Sequence, residues 1–93
     1  MEVKGRVTQV SEVQVISDKF KKRTIWIETE GDYPQTIEFQ AANDKCDILD
    51  DLEIGDYITV HFNLRGREWT NKEGVVKVFN TLDLWKIDKE EDF

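Results

Sequence analysis

The segment NDKCDILDDLEIGD, residues 43–56, carries the helical pattern around which the predicted fold is arranged. Either Asn43 or Asp44 can cap the start of a helix, and acidic residues early in the segment suit the positive end of the helix dipole. Gly55 suits a helix end. The apolar residues recur at helical spacing, so the segment predicts one short α-helix that packs on one face. That apolar stripe consists of Cys46, Ile48, Leu49 and Leu52.

The N-terminal segment, residues 2–16, has the alternation of a long strand. Val3, Gly5 and Val7 fall on one face, and the pattern then loses its phase at residues 8–12. A loss of phase together with a glycine indicates a bulge or bend. We therefore expect a bent strand that serves two halves of a closed sheet.

Four further segments alternate with a period of two, two before the predicted helix and two after it. They cover residues 23–30, 34–41, 56–69 and 75–87. The residues predicted to face inward are Ile25, Ile27, Ile37, Phe39, Ile58, Val60, Phe62 and Leu64.

The resulting order is three strands, one helix and two strands. It describes the all-β OB-fold, a five-stranded Greek-key barrel, with one helix between the third and fourth strands. A split barrel or a small SH3-like sheet is the alternative. A chain of 93 residues has room for one core. We assign residues 1–87 to the barrel and residues 88–93 to a short acidic C-terminal tail.

The formal net charge of −7 is unevenly distributed along the chain. Residues 31–60 contain one lysine against eight acidic residues, whereas residues 1–30 and 61–93 are nearly balanced. Because local fields decide whether a polyanion binds, the overall acidity is a weak argument against nucleic acid. A single cysteine and the lack of an apolar N-terminal block lead us to expect a cytoplasmic protein.

The residue types needed for catalysis or metal binding are scarce. One histidine and one cysteine cannot provide the usual ligands of a zinc site. No nucleophile–histidine–acid arrangement and no glycine motif that would bind phosphate is recognisable. We therefore expect no enzyme activity, no metal and no cofactor.

The stretch RGREWTNKEGVVKVF, residues 65–79, concentrates cations and aromatics in a predicted hairpin. Alternation places Arg65, Arg67 and Trp69 on one face of a strand. Phosphates need cations and unstacked bases need aromatic surfaces, so this combination suits a single-stranded nucleic acid. Trp69 can alternatively be a cross-strand packing residue. The candidate binding residues are Lys22, Trp26, Arg65, Arg67, Trp69, Lys72, Lys77 and Phe79.

Residues 55–77 resemble the fourth strand and hairpin of bacterial single-stranded DNA-binding proteins. The family pattern is a glycine, an alternating apolar strand, a basic pair, a tryptophan and a polar turn with glycine. The chain is also similar to small proteins of this type from bacteria and phages. The resemblance implies an OB-fold, sequence-tolerant binding of single-stranded DNA, and a stacking role for Trp69. The matching residues are Gly55, Arg65, Arg67, Trp69, Gly74 and Lys77.

The C-terminus DKEEDF resembles the acidic, phenylalanine-ended tip with which that family recruits partner enzymes. The resemblance implies that this tip binds a replication or repair protein. A frayed acidic terminus without a role is the alternative. The residues concerned are Asp88, Glu90, Glu91, Asp92 and Phe93.

Three further expectations concern partners. An exposed first strand invites self-association as a dimer or tetramer. The acidic middle third is compatible with a protein-interaction module that binds a basic partner or mimics nucleic-acid charge. Single-stranded RNA also remains open, because base stacking does not read the 2′-hydroxyl group.

Overall fold

The computed structural model describes residues 1–90, which form a closed five-stranded barrel with one additional edge strand. The elements are β1 (Glu2–Val10), β2 (Gln14–Ser17), β3 (Phe20–Glu28), β4 (Thr36–Ala42), the 3₁₀ helix (Asn43–Asp51), β5 (Tyr57–Thr70) and β6 (Val76–Lys89). Around the barrel the order is β1, β5, β6, β4, β3 and back to β1, while β2 pairs only with β3. The 3₁₀ helix lies between the third and fourth barrel strands, so the predicted OB-fold is confirmed. Residues 1–90 include no helix long and apolar enough to cross a membrane.

Strand β1 closes the barrel by pairing on both sides. Its first half, Glu2–Arg6, pairs with β5, and its second half, from Arg6 to Val10, pairs with β3 with a register shift between Val7 and Gln9. The predicted bend is therefore confirmed, but the strand is shorter than residues 2–16. Residues 14–17 form the separate strand β2, which also pairs with β3. Between the two strands Ser11 bonds Thr24: its amide donates to the Thr24 carbonyl and its hydroxyl accepts from the Thr24 amide, both at 2.9 Å.

The segment predicted as an α-helix is a 3₁₀ helix of nine residues. The predicted side-chain cap is wrong. Asn43 has a positive φ of 51°, and its side-chain oxygen instead accepts a hydrogen bond from the Lys21 amide at 3.1 Å. The predicted apolar stripe nevertheless faces the core, because Cys46 and Leu49 are fully buried. Ile48 and Leu52 pack against the core from its edge.

The core is aliphatic with one aromatic pair, Phe39 and Phe62, whose ring centroids lie 5.0 Å apart. Most predicted inward residues are buried or half-buried. Leu64 is the exception: it is 55% exposed, and the prediction that it faces the core is wrong. From Asn63 onward β5 has left the barrel, so its inward face has nothing to cover it. The fully buried residues are Val7, Ile25, Ile27, Phe39, Ala41, Cys46, Leu49, Ile58 and Val60; Leu84 retains only a trace of exposure.

Beyond the barrel, β5 and β6 continue together as a two-stranded ribbon, residues 63–83. A register shift between His61 and Phe62 marks the ribbon's base, where β6 holds one extra residue, Trp85. A bulge of this kind redirects a side chain. Trp85 accordingly lies beside His61, with ring centroids 5.3 Å apart, on the outer face of the barrel.

Candidate nucleic-acid interface

One face of the ribbon carries the cations and aromatics singled out from the sequence. Residues directly opposite one another in an antiparallel pair project to the same side. The register pairs Arg65 with Thr81, Arg67 with Phe79, and Trp69 with Lys77. The structure therefore brings these residues together, and we call this side of the ribbon the groove face. Its residues are Arg65, Arg67, Trp69, Lys77, Phe79, Thr81 and Asp83.

The groove face borders an open cavity of about 1010 Å³. Trp69 is 48% exposed and Phe79 is 54% exposed, so neither ring is packed into the barrel. From Arg65 to Trp69 the strand advances about 13 Å, at roughly 3.3 Å per residue. This length offers room for several successive nucleotides. The lining residues are Gln40, Arg65, Gly66, Arg67, Trp69, Phe79, Thr81 and Asp83.

The cations on the ribbon differ in how far they are neutralised. The Nε atom of Arg65 lies 2.6 Å from a carboxylate oxygen of Asp83. Within residues 1–90, Arg67, Lys72 and Lys77 form no ion pair with a carboxylate. The last three are therefore the ribbon cations whose charge is available to an anionic ligand, while that of Arg65 is already compensated.

Lys72 lies in the turn at the tip of the ribbon, which is held by Asn71. The Asn71 side-chain oxygen accepts hydrogen bonds from the amides of Glu73 at 2.9 Å and Val75 at 3.0 Å. Gly74 has a positive φ of 86°, which closes the turn at little steric cost. These contacts fix the conformation of the turn and thereby the position of Lys72 within it.

Trp26 and Lys22 lie on the outer face of β3, outside the lining of the cavity. The indole Nε1 of Trp26 donates a hydrogen bond to the Glu38 carboxylate at 2.7 Å. Glu38 shares the outer face of β4 with Gln40, which does line the cavity, whereas Glu38 and Trp26 do not. Lys22 pairs with Ala42 at the other end of the ladder and is not brought close to the ribbon.

Four polar residues of this region were missed from the sequence: Glu38, Gln40, Thr81 and Asp83. Alternation along β6 would have placed Thr81 and Asp83 on the face of Lys77 and Phe79. The approach of Gln40 depends on the single parallel pairing, Gln40 with Asp83, which joins β4 to β6. A pairing between distant strands leaves no local signal in the sequence.

The segment predicted as a tail begins inside β6. Asp88 hydrogen-bonds the Nε2 atom of His61 at 2.8 Å, and this bond holds the pKa of the carboxyl below its usual value. Glu90 forms an ion pair with Lys4 at 3.0 Å, which raises the pKa of the lysine. Both acids therefore contact the barrel. The remaining predicted tail residues, Glu91, Asp92 and Phe93, lie outside the described residues.

No group of three or more histidine, cysteine, aspartate or glutamate side chains converges within residues 1–90 as a metal site would require. The lone thiol, Cys46, is buried, and burial raises its pKa. The side chains of the groove face can stack, form ion pairs and form hydrogen bonds.

Solved structures with a similar fold are single-stranded DNA-binding proteins. The mitochondrial protein Rim1 of S. cerevisiae superposes with a TM-score of 0.72 at 14% identity, over 100% of this chain and 95% of that one. A Plasmodium falciparum SSB in complex with ssDNA gives a TM-score of 0.63 at 16% identity, over 98% and 93% of the two chains. At such identities the likeness establishes the OB-fold.

At the level of sequence, no curated protein matches the chain. A family model does match, and it spans residues 2–88, which include the whole ribbon and every barrel strand except the last residue of β6. The chain therefore belongs to the family described as Domain of unknown function (DUF3127).

Proposed function

We propose that this protein binds single-stranded DNA without catalysis and with little sequence preference. The observation that carries the proposal is the groove face, where Trp69 and Phe79 stand exposed beside Arg67 and Lys77. Bases stack on aromatic rings at about 1–3 kcal/mol each, and the neighbouring cations neutralise phosphates. The fold shared with single-stranded DNA-binding proteins supports the proposal.

In this mechanism the ribbon provides both kinds of contact along one line. Trp69 and Phe79 offer stacking surfaces, and Trp26 extends them onto the barrel. Arg67, Lys72 and Lys77 provide the charge along the ribbon. Because stacking uses the flat surface common to all bases, such a site binds strands of different sequence.

Salt dependence of binding tests the electrostatic half of the proposal. Anisotropy of a labelled oligonucleotide, measured over a series of salt concentrations, gives the slope of log K against log[salt]. Three phosphate contacts, from Arg67, Lys72 and Lys77, predict a slope of about −2.1, at roughly 0.7 per contact for single strands. We leave Arg65 out because Asp83 already neutralises it, and Lys22 because it lies away from the ribbon. An affinity that does not change with salt concentration would contradict the proposal.

Intrinsic tryptophan fluorescence distinguishes this function from a protein-interaction module. Stacking on the groove face should quench the emission when oligo-dT is added. A module that binds only a basic protein through its acidic middle third would show no change. Competition between DNA and RNA strands of equal length, followed by the same signal, reports which of the two is preferred.

We further propose that the protein self-associates, as a dimer or a tetramer, and that its acidic C-terminus contacts a replication or repair protein. In support of self-association, the Glu2–Gly5 half of β1 pairs on one side only, with β5, among the described residues. Aliphatic residues on the ribbon's other face, including Val76 and Val78, are also more than half exposed. Light scattering of the purified chain measures the mass directly. A monomer at all accessible concentrations would contradict self-association.

A further inference from the structure

Two carboxylates lie among the groups that would bind a nucleic acid. Asp83 lines the cavity with its side chain 26% exposed, and it is paired with Arg65. Glu38 lies on the outer face of β4 and holds the indole of Trp26. A site that serves only to attract phosphates would not place negative charges beside the side chains that bind the nucleic acid. Their position requires a functional explanation.

Carboxylates interact in opposite ways with the phosphates and with the bases of a nucleic-acid strand. They repel phosphates, and the repulsion is strongest where the groove limits screening by solvent. They also accept hydrogen bonds from the N–H groups that every unpaired base carries, such as N4 of cytosine and N3 of thymine. Each carboxylate uses one oxygen for its internal partner: Asp83 holds Arg65 through Oδ2, and Glu38 holds Trp26 through Oε2. Its second oxygen remains an additional hydrogen-bond acceptor.

The cations and the acids lie in different parts of the groove, so attraction of phosphates and hydrogen bonding to bases are expected at different places. Arg67, Lys72 and Lys77, the ribbon cations without a carboxylate partner in residues 1–90, lie along the ribbon toward its tip. The two acids lie toward the barrel, where β4 and β6 meet at Gln40 and Asp83. A ligand that brings only phosphates into this inner part meets negative charge, whereas a ligand that brings bases there meets hydrogen-bond acceptors.

We propose that Asp83 and Glu38 are specificity-determining residues, whose carboxylates make the groove select a base-bearing single strand over a polyanion without bases. This inference rests on the proposed function and deepens it. It assigns the discrimination to these two acids, with Arg65 and Trp26 as the groups that the acids keep in place. The acids reduce overall affinity for anions and increase selectivity for bases.

The test compares two strands with the same phosphates, a cytosine oligonucleotide and an abasic strand of equal length. Anisotropy at low salt gives the dissociation constant of each for the wild type, Asp83→Asn and Glu38→Gln. Each amide keeps an oxygen that can accept from the internal partner while removing the charge. In each variant we expect affinity for the abasic strand to rise roughly three- to tenfold, from the loss of one nearby like charge. Affinity for the cytosine strand should rise less, because a contact to the base is weakened at the same time.

Glu68→Gln is the matched control, because Glu68 lies on the same ribbon as Asp83 but on its opposite face, on β5 across from Val78. It removes the same charge and should change the affinities for both strands by a similar factor. An unchanged ratio of the two affinities in both Asp83→Asn and Glu38→Gln, or a change no larger than in the control, would overturn the inference and leave single-stranded DNA binding intact. A wild-type protein that binds neither strand would overturn the proposed function itself.

Discussion

The guanidinium of Arg65 and the carboxylate of Asp83 form an ion pair across the two strands of the ribbon, with Nε and Oδ2 2.6 Å apart. Arg67 lies two residues further along the same face and forms no such pair within residues 1–90. The two arginines are therefore not equivalent, although the sequence presents them as a pair. A phosphate must compete with Asp83 for Arg65, whereas Arg67 is available to it directly.

This difference predicts unequal effects of removing the two arginines. Arg67→Ala should reduce the salt slope of single-stranded DNA binding by about 0.7, the value of one phosphate contact. Arg65→Ala should change the slope by clearly less, because its charge is already compensated. The measurement is anisotropy across a salt series for both variants. Equal losses of slope would show that Asp83 releases Arg65 to the ligand.

Stacking on the ribbon predicts a large effect for one tryptophan and a small effect for another. Trp69→Ala should weaken binding of an oligonucleotide by about 1–3 kcal/mol, because one base loses its aromatic partner. Trp85→Ala is the matched control. Its indole is also partly exposed, but it lies beside His61 on the outer face of the barrel. Unchanged affinity in a folded Trp69→Ala protein would reassign Trp69 to packing.

The close approach of β3 to β1 at Gly5 predicts that Gly5 cannot accept a side chain. A Cβ atom there would lie 2.6 Å from the carbonyl oxygen of Glu28 on β3. Gly5→Ala should lower the free energy of unfolding by about 1–3 kcal/mol, the usual cost of forcing extra volume into a packed site. Gly66→Ala is the control, since its nearest contact would be Asn80 at 3.5 Å. Chemical denaturation of both variants measures the difference, and equal stabilities would show that the two strands can separate at Gly5 without cost.

The hydrogen bond from His61 to Asp88 predicts a dependence of stability on pH. The bond lowers the pKa of Asp88 in the folded state below the ordinary value of 3.8. A carboxyl with a lowered pKa stabilises the fold above that ordinary value, and the stabilisation is lost as the pH falls through the folded pKa. Asp88→Asn should therefore have a lower melting temperature than the wild type at neutral pH, and the gap should narrow in acid below about pH 3.8. A gap that stays constant into strong acid would exclude this contribution.

The barrel was largely predictable because its strands are amphipathic. Ile25 and Ile27 alternate with polar residues, and one buried face follows directly from that pattern. The same reasoning failed at Leu64, where alternation continues but the barrel does not. A sequence shows which residues share a face of a strand, but it does not show where that face stops packing against the core.

The helix and the site show the same division between local and distant information. The apolar stripe of residues 43–56 was correct, yet Asn43 took a hydrogen bond from Lys21, a residue of β3, instead of capping the helix. The groove face followed from alternation along one ribbon. Its neighbour Gln40 did not, because only the pairing of β4 with β6 brings it there.

The central claim is that single-stranded DNA stacks on the ribbon at Trp69. The most direct measurement uses the double variant Trp26→Phe, Trp85→Phe, which leaves Trp69 as the sole tryptophan of the chain. Titration with oligo-dT at low salt should quench its emission, and added salt should restore it as the strand dissociates. If emission stays constant while anisotropy shows that the oligonucleotide is bound, or if no binding occurs with the fold intact, the claim is contradicted.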